Sequence, residues 1–335
     1  KRMGRYGLGC TFLFGKENDM KKRDEIIRIF PDSMKNKWEK ALCQEEKLQE
    51  IRLGAGQPVR LKLNGEERFL TREGEIRTLP EEAWLLTEKE IEEIIKNICR
   101  HSLYAFENEI RQGYLTVPGG HRIGMAGQVV LDEKGNIRNM SHIRFLNIRI
   151  SHEVLGVAEK IMPYVYEAGR VLNTLLVSPP GCGKTTLLRD MIRQLSNGNA
   201  YGKGRQVAVV DERSEIAGSF MGTPQNDVGI RTDVLDGCPK VQGMMLLMRS
   251  MSPSVVAVDE IGSYEDLRAV YQILQCGSSV IATMHGSTMQ DVHRHMDLNE
   301  EKELLFERFL FLERKQGICR VREIIDGRQK KVIWG

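Results

Sequence analysis

Lys184 and Thr185, with Gly181-Cys182-Gly183 before them and Thr186 after, are the residues of this chain best suited to chemistry. An ammonium, a hydroxyl and a run of unencumbered amides together suit a multiply charged oxyanion. The full run is Ser178-Pro179-Pro180-Gly181-Cys182-Gly183-Lys184-Thr185-Thr186. It fits G-x-x-x-x-G-K-[ST], except that Ser178 stands at the first glycine. Pro179 and Pro180 stiffen the entry, and Gly181 and Gly183 are expected to supply positive φ angles. Such a P-loop cradles a polyphosphate in backbone N–H groups and in the positive end of the following helix. Lys184 then reaches the β- and γ-phosphates and Thr185 ligates a metal, so ATP and Mg²⁺ are the expected cofactors. Cys182 reads as a small residue that fits the loop.

Three further segments place reactive groups at the ends of apolar runs. Val255-Val256-Ala257-Val258 leads into Asp259-Glu260. Asp259 suits the metal shell, and Glu260 suits a general base acting on water. Val207–Val210 leads into Asp211-Glu212-Arg213-Ser214-Glu215, whose carboxylates are expected beside the same crevice. Val280-Ile281-Ala282-Thr283 leads into Met284-His285-Gly286, and His285 suits a sensor of the γ-phosphate. Phosphoryl transfer also calls for positive charge on the departing group, often an Arg from a neighbouring subunit. Arg249, Arg122, Arg144 and Arg149 are the candidates.

These groups need a scaffold that aligns strand ends. From residue 153 on, apolar runs alternate with amphipathic segments: strands at 171–177, 206–210, 254–258 and 278–283, helices at 185–196, 240–250 and 264–275. That alternation predicts a parallel sheet with helices on both faces, whose carboxyl ends face the ligand. A linker helix is expected at 154–168, and added strands at 306–334 with a turn at Asp326-Gly327.

The first part of the chain reads differently. Residues 24–44 predict short helices broken by Pro31, and 49–70 alternate as strands. Thr87-Glu88-Lys89-Glu90 is a capping box opening a helix with Ile91, Ile94, Ile95 and Ile98 on one face. A second helix near 102–110 ends at Gly113. Residues 114–150 form a meander with turns at Pro118-Gly119-Gly120 and Glu133-Lys134-Gly135-Asn136. Residues 1–19 lack periodicity and are expected to be a disordered extension, with Met20 a plausible start. The domains expected are 20–152, α+β, and 153–335, α/β.

Composition narrows the class. A chain of 335 residues with 28% charged and 41% apolar residues is ordinary for two globular domains. No apolar run approaches the ~18 residues of a membrane span, so a cytoplasmic protein that meets membranes only through a partner is expected. Seven cysteines without a C-x-x-C pair argue against a disulfide framework or zinc site. Residues 1–28 carry eight basic and four acidic side chains against +3 for the whole chain, so the body is near neutral and nucleic acid is not the expected partner.

The four ordered segments at 178–186, 211–215, 259–260 and 283–286 resemble the Walker A, Asp box, Walker B and His box of the secretion ATPases of type II and type IV machines. Phe106–Tyr114, Pro118–Gly124, Val209–Ile216 and Arg249-Ser250-Met251-Ser252-Pro253 look closer still to one member group, the stage III sporulation AA proteins. The resemblance runs from about residue 20 to the end. It implies a RecA-like P-loop ATPase core, a smaller N-terminal domain, and a hexameric ring of copies of this chain. It also implies a place in the mother cell of an endospore former, powering the membrane-embedded channel to the forespore. On that basis Lys184 and Thr185 bind nucleotide and metal, Asp259 supports the metal, Glu212 or Glu260 activates water, and His285 reads nucleotide state. The sequence departs at Ser178, and at Asp259, where secretion ATPases commonly carry Gly; the sporulation group shares the Asp-Glu form. A nucleic-acid-dependent ATPase and a nucleotide-binding scaffold without turnover stay open as other readings.

Overall fold

Alternating burial along 48–149 and near-continuous burial along 174–285 give the chain two kinds of sheet. The computed structural model describes residues 22–43, 48–99, 106–296, 305–315 and 318–335, and the chain divides into two compact units, Lys1–His152 and Glu153–Gly335. The extension expected at 1–19 lies outside the described residues, as do 100–105 of the expected second helix.

The first unit is α+β. Its strands are β1 (Leu48–Gly54), β2 (Arg60–Leu63), β3 (Glu66–Leu70), β4 (Ile76–Arg77), β5 (Tyr114–Val117), β6 (His121–Leu131) and β7 (Ile137–Arg149). They form one antiparallel sheet in the order β4-β3-β2-β1-β7-β6-β5. Pro31 ends a helical segment at 22–27 and precedes α1 (Asp32–Leu42), because its ring cannot continue a helix from behind. Trp38 on α1 stacks on Phe30, ring centroids 3.9 Å apart. Helix α2 (Glu88–Ile98) starts at the expected capping box: Glu90 N–H donates to Thr87 Oγ1 at 3.2 Å and Thr87 N–H to Glu90 Oε2 at 2.8 Å. Its four isoleucines are buried. Helix α3 (Glu107–Gln112) stops at Gly113, whose φ of 82° only glycine takes freely.

The second unit is α/β. Short pairs β8 (Tyr166–Glu167) with β9 (Arg170–Val171), and β11 (Gly198–Asn199) with β12 (Gly202–Lys203), flank an eight-stranded sheet. That sheet holds β10 (Thr174–Ser178), β13 (Val207–Asp211), β14 (Thr232–Asp236), β15 (Val255–Val258), β16 (Ser279–His285), β17 (Arg308–Lys315), β18 (Ile318–Asp326) and β19 (Lys331–Trp334). Its order is β14-β13-β15-β16-β10-β17-β18-β19, parallel from β14 to β17 and antiparallel thereafter. Successive strand residues point to opposite faces, and each face has its own core. Leu176, Val209 and Ala257 join Leu187, Leu188, Met191, Ile192 and Leu195 of α5 (Lys184–Asn197). Leu175, Val177, Val210 and Val258 join α6 (Lys240–Met251) and α7 (Tyr264–Gln275) on the other.

Two expectations fail here. The linker helix at 154–168 is a series of turns holding one four-residue helix, α4 (Met162–Val165). Gly156 has φ 82°, and Pro163, at the start of α4, offers no N–H through which a helix could continue from behind. Ala158, Ile161, Met162 and Val165 are buried at helical spacing without a continuous helix, while Val154, Leu155 and Val157 are exposed. Strand β14, at the sheet edge between β13 and α6, is an element that the alternation did not predict.

Candidate nucleotide and metal site

Parallel register brings four strand ends to one edge. Ser178 pairs with His285, Val258 with Ala282, and Val210 with Val258. Beyond Ser178 the loop turns through Gly181 at φ 72° and Gly183 at φ 80°, the two angles the sequence called for. Ser178 does not have a positive φ: it is a buried strand residue whose hydroxyl donates to the Pro179 carbonyl at 2.8 Å. A glycine has no conformational advantage there, which accounts for the departure. Gly183 caps α5 with no side chain on the first-turn N–H groups, so those donors face the loop. A side chain built at Gly181 would meet no heavy atom within 4 Å. Cys182 is buried beneath the loop.

Lys184 is buried, and its Nζ lies 3.1 Å from His285 Nδ1. Burial lowers its pKa, while the carboxylates of Asp259 and Glu260 pull the other way. An ammonium can only donate, so Nδ1 of His285 accepts. His285 Nε2 lies 2.6 Å from Glu260 Oε1, and a carboxylate can only accept. With these two neighbours Nδ1 is the accepting nitrogen and Nε2 the donating one. Thr185 Oγ1 donates to Asp259 Oδ2 at 3.0 Å. Thr283 Oγ1 donates to Asp259 Oδ1 and accepts from Glu260 N at 2.8 Å. Three separate segments thus meet in one hydrogen-bonded chain.

Glu212 and Asp211 stand apart from it. Glu212 Oε2 is 3.5 Å from Lys240 Nζ. Asp211 is buried, and its oxygens accept from the amides of Glu215 (2.8 Å), Ile216 (3.1 Å) and Ala217 (2.8 Å). Its carboxylate closes a turn, and burial, with the Asp236 carboxylate, pushes its pKa up to about 6 despite those donors. Arg189 of α5 donates to the carbonyls of Glu215 (2.7 Å) and Ile216 (2.5 Å), fastening the same turn to the P-loop helix.

A family model described as "Sporulation stage III, protein AA" matches residues 20–332. The chain belongs to this sporulation stage III AA family. The Stage III sporulation protein AA of Bacillus subtilis (strain 168) is 39% identical over 305 residues, covering 90% of this chain and 95% of that one. Among solved structures the fold is similar to the Legionella pneumophila ATPase DotB (TM-score 0.57, 16% identity, 89% of this chain and 81% of that one). It is equally similar to the pilus retraction motor PilT with bound ADP (TM-score 0.57, 17% identity, 83% and 78%). The fold of this chain is therefore shared with these two structures, as the motifs implied.

In this stage III AA chain the residues present fit a Mg²⁺-nucleotide. The Gly181 region is open, the first amides of α5 carry no side-chain cap, and a hydroxyl and a carboxylate already sit together at Thr185 and Asp259. Among the described residues no cluster of three or more His, Cys, Asp or Glu side chains could hold a metal. Mg²⁺ needs none, since it takes one or two protein oxygens and fills its shell from phosphate and water.

Of the candidate arginines, Arg249 alone lies in the second unit. Arg249 is exposed in the last turn of α6, nine residues beyond Lys240 and so roughly 13 Å further along the axis. Arg122, Arg144 and Arg149 belong to the first unit. Arg122 lies over the Tyr114 ring, 3.6 Å from its centroid, and Arg149 is exposed opposite it on β7. Arg144 pairs with Glu88 (3.0 Å) and Glu92 (3.3 Å) on α2, a use that needs no nucleotide. Lys240 and Arg189 contact these segments from outside the motifs, while Thr283 and Arg213 lie within the segments at 283–286 and 211–215 and were given no role of their own. Thr283 was visible as a hydroxyl two residues before His285, hence on the same strand face.

Proposed function

We propose that the chain is a Mg²⁺-dependent ATPase that assembles as a hexameric ring. It would power a channel or secretion complex between mother cell and forespore, docked at the cytoplasmic face of the mother-cell side. The observation that carries this reading is the continuous chain Lys184–His285–Glu260, beside Thr185–Asp259, at the mouth of an uncapped helix. Family membership and a relative named for its part in sporulation support the setting. A fold shared with an ATPase and with a pilus motor supports the motor role. No helix among the described residues is long and apolar enough to cross a membrane, in keeping with contact through membrane-embedded partners.

Mg²⁺ bound with ATP would withdraw charge from the terminal phosphate and its leaving oxygen. The protein's own groups do the rest. The loop amides and Lys184 hold the phosphates. Thr185 and Asp259 present oxygens to the metal. Glu260 accepts a proton from water, and His285, donating from Nε2, orients that carboxylate and links it to Lys184. Glu212 is held against Lys240 and has no such link, which favours Glu260 as the base.

Lys184→Ala should abolish binding of a fluorescent ATP analogue. Glu260→Gln should keep binding while turnover falls by about 100-fold or more. Phosphate release unchanged by Lys184→Ala would remove the site assignment. Native mass measurement with and without a non-hydrolysable analogue tests the ring.

A further inference from the structure

Lys240 breaks a local rule. It is the first residue of α6, where the helix dipole is positive and a cation is unfavourable, and no acidic residue in that turn offsets it. Residues that defy local preference in this way mark sites where another requirement overrides stability. Here the requirement is visible. The side chain is mostly buried, its Nζ donates to the Glu260 carbonyl at 2.7 Å, and the same atom lies 3.5 Å from Glu212 Oε2.

Glu260 needs such a partner. Its φ is 55°, a left-handed conformation that costs a non-glycine residue energy and persists only when neighbours hold it. Its N–H goes to Thr283 Oγ1, and the next amide, of Ile261, goes to the Thr283 carbonyl at 2.8 Å. Those bonds fix the chain on either side of the peptide, while the carbonyl itself is held by Lys240. Turned this way, the Glu260 side chain meets His285 at 2.6 Å and Arg213 at 3.3 Å. A return to an ordinary φ would swing the carboxylate off that pair.

We propose that Lys240 is a positioning residue: it locks the strained Glu260 peptide so that the carboxylate faces His285, and it holds Glu212 out of the reaction. The proposal rests on the ATPase reading above and deepens it, because it says what separates the two candidate acids. No part of it requires Lys240 to touch nucleotide.

The full-length protein with Lys240→Met, and with Lys240→Arg as the conservative partner, decides the matter. Relief of a cation at a helix start offsets part of the lost Lys240–Glu260 hydrogen bond, and a cooperative melt within about 5 °C of wild type shows that folding is preserved. Affinity for a fluorescent ATP analogue should stay within about twofold, while kcat of Lys240→Met falls by roughly tenfold or more. Lys240→Arg, which keeps a donor and a charge, should return kcat to within about threefold of wild type. A nucleotide-free crystal structure of Lys240→Met should show Glu260 out of the left-handed region and parted from His285. Unchanged kcat in Lys240→Met overturns the proposal, as does a crystal structure with Glu260 in place. If the wild type itself releases no phosphate, the ATPase reading fails, and the crystal structure still judges Lys240.

Discussion

Asp211 ends its strand with a carboxylate used by the protein rather than offered to a ligand. Its oxygens close the turn over Glu215–Ala217, beneath the Arg189 bonds from the P-loop helix. Burial and the nearby Asp236 raise its pKa from the ordinary 3.8 to about 6. A raised folded-state value means that the folded chain holds a proton the unfolded chain has lost between these two values. Stability from this group is complete below pH 3.8 and is lost as pH climbs through about 6. The loss amounts to about 3 kcal/mol at neutral pH. Asp211→Asn should erase that slope, since an amide does not titrate. It should also lower stability by about 1–3 kcal/mol at pH 4, because the Asn amino group faces backbone donors that it cannot pair with. Urea unfolding of the second unit at pH 4, 5, 6 and 7 measures both effects. A parallel pH slope in Asn and wild-type proteins would show that Asp211 is not the titrating group.

At the level of elements, the site is a product of strand alternation. Thr283 and His285 are two apart on β16 and so share a face, which places one hydroxyl between Asp259 and the Glu260 amide and one imidazole between Lys184 and Glu260. Thr283→Val keeps the shape of β16 but strips the hydroxyl. It should leave the Glu260 N–H and one Asp259 oxygen without a partner and cost about 1–3 kcal/mol. Turnover should fall more than nucleotide affinity, as read by phosphate release against analogue binding; equal losses in both would point to a collapsed loop instead. This also explains what the sequence could and could not disclose. The P-loop, the capping box at Thr87 and the acidic strand ends were legible because each is a local pattern with a local cause. Strand β14 was not, because it lies at the sheet edge, is half-buried along its length, and offers only Val234 and Leu235 as apolar residues. The 154–168 stretch buries Ala158, Ile161, Met162 and Val165 at helical spacing, yet it runs through turns from Gly156 on and leaves Val154, Leu155 and Val157 exposed. Lys240 and Arg189 act on carbonyls 20 and 26–27 residues away, a relation no spacing encodes.

For the whole molecule, the decisive feature is that each unit has its own core and its own buried titrating group. Those two groups respond to acid in opposite directions. The first unit buries Trp38, Trp84, Phe30 and Ile91, together with His121, whose Nδ1 accepts from Ser151 N at 3.1 Å. Burial, with Lys22 and His152 adding like charge, pushes the His121 pKa down from 6.5 to about 3. Its Nε2 stands 4.0 Å from Glu25. Gly119 belongs to this packing, since a side chain there would strike both Glu25 and His121. The motif at 118–124 thus has a structural cause in the first unit. Because the folded-state value is depressed, stability from His121 is complete above pH 6.5 and falls by about 1.4 kcal/mol per pH unit on the way toward pH 3. The second unit gains stability from Asp211 over much of the same range. Acid should therefore weaken the first unit before the second, whose Asp190 and Glu307 carboxylates, held below the usual range, lose their contribution only at lower pH, so a single two-state transition is not expected. Tryptophan reports this cleanly. Trp38 and Trp84 are buried in the first unit and Trp334 is half-buried on β19, so Trp334→Phe follows the first unit alone, and Trp38→Phe with Trp84→Phe follows the second. Between pH 7 and 4 the first reporter should change well before the second. Adding an ATP analogue with Mg²⁺ at 100 times its Kd should protect the second by about 2.7 kcal/mol and leave the acid midpoint of the first unmoved. A shift of both midpoints by the same amount would mean that nucleotide binding in one unit is felt through the stability of the other, and the units would then have to be treated as a single cooperative body.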